Sequence, residues 1–290
     1  MTKPILQVCG VTRRYVSRGP FGWHRQVLNA IDGADLEINE GETLAIVGES
    51  GSGKSTLAKL MLRLERPSDG AVLYRGVSLP ELDRQQWRAY RRDVQAIFQD
   101  PSSSLNPRMR VEEALGHVAR RHELAEPAKL RAFLAGHLAS VGLDPPEQYL
   151  ARYPHQLSGG QQQRVAIARA MMLEPKLIVA DEPLSSLDIS IQVQVLDLMR
   201  ELSRRKRVSF VLISHDLNAV QSIADRIAVM QRGRIVEIGR NIFDAPAHPY
   251  TRLLLQARLT ADPREVRARL GNLSRARAGN PAAEPPNLQA

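Results

Sequence analysis

Apolar residues fall into two rhythms along the chain. Short unbroken aliphatic runs, Thr43–Val47 (TLAIV), Leu177–Ala180 (LIVA) and Ser209–Ile213 (SFVLI), alternate with longer stretches of helical period from residue 43 onward. Runs without polar alternation suit strands covered on both faces, as in a parallel sheet flanked by helices. Ser55–Leu64 and Gln161–Met172 read as helices; in the second, Val165, Ala168 and Met172 recur at the i, i+3, i+7 spacing of one buried face. Residues 1–40 and 70–79 carry β-type patterns punctuated by Asn39-Glu40-Gly41 and Ser68-Asp69-Gly70, which predict a small additional sheet. Residues 105–150 are rich in Ala, Leu and Arg with almost no strand signal, and predict a helical insert in which Pro145-Pro146 closes one helix. Arg226–Met230 and Arg234–Ile238, joined by Gln231–Gly233, predict a terminal hairpin. From about Ala261 the composition turns to Arg, Ala, Asn and Pro, the signature of a flexible tail.

Composition narrows the function classes. The 290 residues hold 40 Lys+Arg against 31 Asp+Glu, a formal charge of +9 that suits nucleic acid, an anionic membrane surface or a polyphosphate ligand. Aromatics are only 4%, which argues against a protein that stacks single-stranded bases. The run Arg204-Arg205-Lys206-Arg207 follows the periodic segment Ile191–Leu202, so it reads first as cations at a helix C-terminus. A single cysteine, Cys9, excludes an internal disulfide and a four-cysteine metal site within one chain. No stretch reaches the roughly 18 apolar residues of a membrane-spanning helix, and the first thirty residues lack a signal-peptide apolar core. The expectation is a cytosolic protein.

The chemistry concentrates in three motifs. Gly48-Glu49-Ser50-Gly51-Ser52-Gly53-Lys54-Ser55-Thr56 fits GxxxxGK[ST] between the strand TLAIV and a helix. Its glycines let successive backbone N–H groups converge on phosphate oxygens, and the helix N-terminus adds a favourable dipole. Lys54 would meet the β- and γ-phosphates, and the Ser55 hydroxyl would ligate Mg²⁺. Second, Asp181-Glu182-Pro183 ends the run LIVA. There Asp181 can reach a metal and Glu182 can orient and deprotonate water. Third, Ser158-Gly159-Gly160-Gln161 leads straight into a helix and forms a second anion-binding helix start. One nucleotide has no evident need of two cradles from one chain; a nucleotide sandwiched between two chains does.

With LSGGQ some hundred residues after GESGSGKST and shortly before LIVADEP, the chain resembles the ATP-binding-cassette ATPases over about residues 4–250. The resemblance implies an α/β fold: a parallel-sheet core of the P-loop NTPase type flanked by helices, a small antiparallel β subdomain and an inserted α-helical subdomain. It places an ATPase domain at residues 4–260, with the β subdomain at 4–80, the helical insert at about 100–160 and the tail at 261–290. It also implies roles. Tyr15 would stack on adenine, Gln99 would touch Mg²⁺ and water, Asp188 would cross a dimer interface and His215 would contact the γ-phosphate. VGESGSGKSTL, FQDPSSSLNPR, RYPHQLSGGQQQR and Pro246-Ala247-His248-Pro249-Tyr250-Thr251 resemble the ATPase subunits of oligopeptide, dipeptide and nickel importers. Several of those relatives carry a cysteine-rich C-terminal segment; this tail has none, so no iron–sulfur cluster is carried over. Leu184 replaces the commoner threonine after the acidic pair.

The resulting expectation is an ATP-hydrolysing subunit of a multisubunit importer, with ATP and Mg²⁺ as cofactors. It would lie on the cytoplasmic face of the inner membrane as a peripheral subunit. Its partners would be a second ATPase subunit (identical or paralogous), transmembrane permease subunits and, indirectly, an extracytoplasmic solute-binding protein. No nucleic acid is expected. An exporter ATPase, or a soluble ATPase of the same superfamily acting on nucleic acid or ribosomes, shares the nucleotide motifs.

Overall fold

The computed structural model of the protein describes residues 4–18, 25–100 and 104–259. In chain order the strands are β1 (Leu6–Arg18), β2 (Arg25–Ile38), β3 (Thr43–Val47), β4 (Asp69–Tyr74), β5 (Val77–Ser78), β6 (Val94–Ile97), β7 (Leu177–Asp181), β8 (Ser209–Ile213), β9 (Arg226–Gln231) and β10 (Arg234–Gly239). The helices are α1 (Lys54–Met61), α2 (Arg84–Asp93), α3 (Val111–Arg121), α4 (Leu130–Ala139), α5 (Pro146–Leu150), α6 (Gly159–Met171), α7 (Ile189–Lys206), α8 (Leu217–Ile223) and α9 (Pro249–Leu259).

The three aliphatic runs form the middle of a six-stranded sheet ordered β10-β9-β3-β8-β7-β6. Every residue of β3 and β8 is buried, as continuous apolar runs require. The strands from β9 to β6 are mutually parallel, and only β10 runs antiparallel, as the return arm of the predicted hairpin. The expected second sheet is present as the antiparallel set β2-β1-β4-β5. One apolar core spans both sheets, joining Ile5, Leu36 and Val72 to Leu57, Met61 and Val211.

Helices replace strands throughout residues 111–171, as the Ala- and Leu-rich composition predicts. One detail differs. Pro145-Pro146 does not close a helix: α4 ends earlier, at the turn where Gly142 adopts φ 75°, and Pro146 instead opens α5. A proline is at home there, because the N–H it lacks has no intrahelical partner in the first turn. The basic run is the last turn of α7, followed by Arg207 in the left-handed conformation.

The chain divides into two units, Met1–Ala245 and Pro246–Ala290. Within the second, Tyr250 N–H donates to His248 Nδ1 at 3.2 Å and the Arg252 guanidinium donates to the carbonyls of Pro246 and Ala247. The tail expected at residues 261–290 lies outside the described residues.

Parallel pairing is what builds the site. Ile46 pairs with Ile213, Asp181 with Ile213 and Ile97 with Ala180, so β3, β6, β7 and β8 end along one edge. Their following segments, which carry Gly48–Gly53 of the first motif, Glu182 of the second, and Gln99 and His215, emerge side by side there. Open α/β sheets bind ligands outside the carboxyl ends of their strands for this reason.

Candidate functional site at the strand ends

The loop after β3 is shaped by close backbone approach. A Cβ on Gly48 (φ 154°) would collide with the carbonyl oxygen of Met230, and one on Gly53 (φ 106°) with that of Ala30. Glycine is therefore obligatory at both positions. The loop is also tied to the hairpin turn, where Gly233 N–H donates to the Ser52 carbonyl at 2.9 Å. α1 then starts at Lys54 with no side chain capping its first turn, which leaves backbone N–H groups open toward the loop.

Lys54 is 5% exposed and folds back over the loop. Its Nζ donates to the carbonyls of Gly48 and Glu49, each at 2.8 Å. Burial lowers the pKa of this ammonium below the ordinary lysine value, while Glu182, Asp181 and Glu49 pull it back up. The charge is thus held at the mouth of an N–H-rich loop, with the acidic pair facing it.

Ser55 and Asp181 stand 126 positions apart in sequence, yet Ser55 Oγ donates to Asp181 Oδ1 at 3.0 Å. Burial raises the Asp181 pKa above its ordinary value; the Ser55 hydroxyl lowers it, Glu182 raises it, and Lys54 and Lys59 lower it. A carboxyl with a raised folded-state pKa costs stability in full above that pKa, and the cost vanishes below the unfolded value near 3.8. Asp181→Asn, which keeps an acceptor for Ser55, is expected to raise the melting temperature of the nucleotide-free protein at neutral pH. The gain should close as pH falls toward the unfolded value. A pH series of thermal melts reads this, and equal melting temperatures at neutral pH would count against a strained carboxylate.

Glu182 adopts φ 47°, a left-handed conformation that costs a non-glycine residue roughly 1–2 kcal/mol. Three bonds hold it there: its N–H donates to the Ile213 carbonyl at 2.9 Å, and the Glu182 carbonyl accepts from Ser185 Oγ at 3.1 Å and from Ser185 N–H at 3.3 Å. The turn keeps the side chain one-fifth exposed, with Oε2 3.4 Å from Nδ1 of the exposed His215. Gln99 is exposed two residues beyond β6, in line with Glu182 by the β6–β7 register. The hydroxyl of Ser55, the Asp181 carboxylate and the Gln99 amide are hard oxygen donors, the kind that suits Mg²⁺ shared with phosphate. Among the described residues no group of three or more His, Cys, Asp or Glu could hold a metal by itself.

The remaining predicted residues make their bonds away from this cluster. Ser158 caps α6 in a reciprocal box: its Oγ accepts from Gln161 N–H at 3.3 Å, and Gln161 Oε1 accepts from Ser158 N–H at 3.0 Å. Gly159 and Gly160 let this helix start lie flat on the first turn of α7 and the segment before it. A Cβ on Gly159 would sit 3.3 Å from Leu187 Cδ2, and one on Gly160 would collide with Ile191 Cγ2. Asp188 precedes α7 with an exposed carboxylate that caps nothing.

Tyr15 lies on β1 opposite Leu28 of β2, close in register to Ala30, whose carbonyl backs onto Gly53. Its hydroxyl donates to Glu65, and the Arg13 guanidinium lies over its ring at 4.7 Å while bonding the same carboxylate at 3.0 Å. Arg13 and Glu65 escape a reading of the sequence, because the contact between them spans 52 positions and no local pattern marks it.

Residues 31–185 match the family described as ABC transporter. The chain is 43% identical over 267 residues to the oligopeptide transport ATP-binding protein OppF of Escherichia coli (strain K12), covering 90% of this chain and 79% of that one. It is 43% identical over 271 residues to the di/tripeptide transport ATP-binding protein DppF of Pseudomonas aeruginosa (strain UCBPP-PA14), covering 92% and 83%. The fold superposes with a TM-score of 0.70 and 29% identity on the dimeric post-hydrolysis state of the ATP-binding cassette MJ0796 bound to ADP and Pi. That match covers 81% of this chain and 98% of the other.

Proposed function

The chain belongs to the ABC transporter family, and we propose that it is the ATP-hydrolysing subunit energising a multisubunit importer of peptides or a related small solute. The observation that carries the catalytic part is the 3.0 Å contact between Ser55 and Asp181, which joins the phosphate loop to the acidic strand end. The relatives named for peptide transport support the cargo class. In this reading residues 4–260 form the ATPase domain.

Each residue acts through the geometry above. The N–H groups of residues 48–56 cradle the phosphates, and Lys54 exchanges its loop carbonyls for β- and γ-phosphate oxygens. Ser55, Asp181 and Gln99 would hold Mg²⁺, which when bound supplies positive charge at the phosphate oxygens. Glu182 takes the proton from the attacking water, and His215, within reach of that carboxylate, contacts the γ-phosphate. Tyr15 presents its ring to adenine. Two copies, or this chain and a paralogue, pair head to tail. Ser158–Gln161 and Asp188 of each then complete the other's site, which gives both anion-binding helix starts a use.

No helix among the described residues is long and apolar enough to cross a membrane. The translocation path is assigned to permease subunits, with this chain held peripherally on the cytoplasmic face by protein contacts. The test follows membrane recovery at low and high salt, with and without the permease, alongside uptake of labelled dipeptides and oligopeptides. Recovery should follow the permease, and uptake should stop when the chain is deleted. Attachment to lipid through charge would instead fall steeply with salt. Recovery that depends on salt but not on the permease, or uptake that survives deletion, overturns the reading.

A further inference from the structure

A cavity of about 670 Å³ opens between α4 and the C-terminal ends of α6 and α7. None of its lining residues belongs to the nucleotide site. Its floor is apolar: Met171, Leu198, Leu202 and Val208 are each at most 8% exposed. One wall is the edge-to-face pair Phe133 and His137, with ring centres 4.5 Å apart. Between them on α4, Gly136 leaves room, since a Cβ there would meet nothing within 4 Å.

The rim carries both signs of charge. Glu201 and Arg205 satisfy each other at 2.8 Å. Glu174, Lys176 and Lys206 line the same rim, and no ion pair engages any of the three among the described residues. Glu174 and Lys206 both act on the His137 imidazole from opposite electrostatic sides, while burial keeps its pKa below the ordinary value. A ligand that fits must therefore bring an apolar body for the floor and one charge of each sign for the rim. The volume lies within the range of small-molecule sites.

We propose that this cavity binds a short peptide with apolar side chains and free ends. Its carboxylate meets Lys206 and Lys176, its ammonium meets Glu174, and its side chains lie on Met171, Leu198 and Leu202 against Phe133. The recognition is read from the cavity lining and does not rest on the import reading.

The dipeptide Leu-Phe serves as probe, titrated calorimetrically into the full chain beside N-acetyl-Leu-Phe and Leu-Phe amide. The free dipeptide should bind one to one, and each blocked form should bind more weakly. Lys206→Gln should weaken the free dipeptide by about two- to fivefold, the worth of one exposed ion pair, yet leave the amide nearly unchanged. Gly136→Leu should remove binding by filling the cavity. That position is exposed and helical, so the variant should fold and hydrolyse ATP as the parent does. Absence of Leu-Phe binding at millimolar concentration overturns the proposal. So does equal binding by Gly136→Leu, or equal affinity for the free and blocked peptides.

Discussion

Glu182→Gln is expected to slow ATP hydrolysis by roughly 10²–10⁴-fold, the usual worth of a general base, while ATP still binds. The expectation rests on what the substitution leaves intact. Glutamine keeps the side-chain length, and the strained backbone is held by bonds that do not involve the carboxylate: N–H to the Ile213 carbonyl, and the Ser185 hydroxyl and N–H to the Glu182 carbonyl. What disappears is the proton acceptor and one negative charge beside His215. Losing that charge near the γ-phosphate should also favour an ATP-trapped dimer. Single-turnover phosphate release, paired with nucleotide binding and sizing in ATP, separates the effects. Near-normal turnover would exclude Glu182 as the main base. A parallel loss of ATP binding would point to a collapsed strand end instead.

Much of this arrangement was legible from local pattern, for reasons the structure makes plain. β3 and β8 are buried along their whole length, so their apolar runs could carry no polar alternation. The phosphate loop was legible because Gly48 and Gly53 answer to carbonyls of Met230 and Ala30, where nothing larger fits. Other elements had signals that went unread. α2 opens with a capping box in which Asp83 and Gln86 bond reciprocally, a pattern visible as Asp-x-x-Gln in the sequence. β6 is only four residues long, two half-buried residues between two buried ends, too short for periodicity to distinguish it from helix. The proline pair marked a helix boundary correctly but not its sense, since proline favours the first turn as strongly as it breaks the interior.

What local pattern could not supply is sequence-distant contact. The order of the sheet places β3 between β9 and β8, elements more than 160 positions later, and no window of residues encodes that choice. The Ser55–Asp181 bond, the Glu65 partner of Tyr15 and the packing of Gly160 against Ile191 all follow from it or from similar long-range closure. Motif spacing implied that the phosphate loop and the acidic pair serve one site, but only strand register shows Glu182 and His215 issuing from neighbouring strands. The cavity beneath α4 is the extreme case, because its lining comes from three helices and the turns after them.

Lys54→Ala should remove turnover altogether within the sensitivity of a phosphate-release assay. A single preorganised donor to developing charge is worth about 10²–10³-fold by itself, and Lys54 is more than a donor. Its buried ammonium is the cation facing both Asp181 and Glu182. Without it, two adjacent carboxylates and an incoming polyphosphate would meet with that charge unopposed. The truncation also strips the Gly48 and Glu49 carbonyls of their 2.8 Å donor at a loop that Gly48 and Gly53 hold against Met230 and Ala30. Nucleotide binding should therefore weaken as well, less than hydrolysis, because the backbone N–H groups at the start of α1 remain. Lys54→Arg distinguishes charge from shape: the guanidinium keeps the cation but is too broad for a site bounded by two carbonyls and Ser52. If arginine restores turnover, charge alone is at work. If both variants are inactive while retaining measurable ATP binding, the compact ammonium is required. Unchanged turnover in Lys54→Ala would remove the phosphate loop from the mechanism, and the site assignment with it.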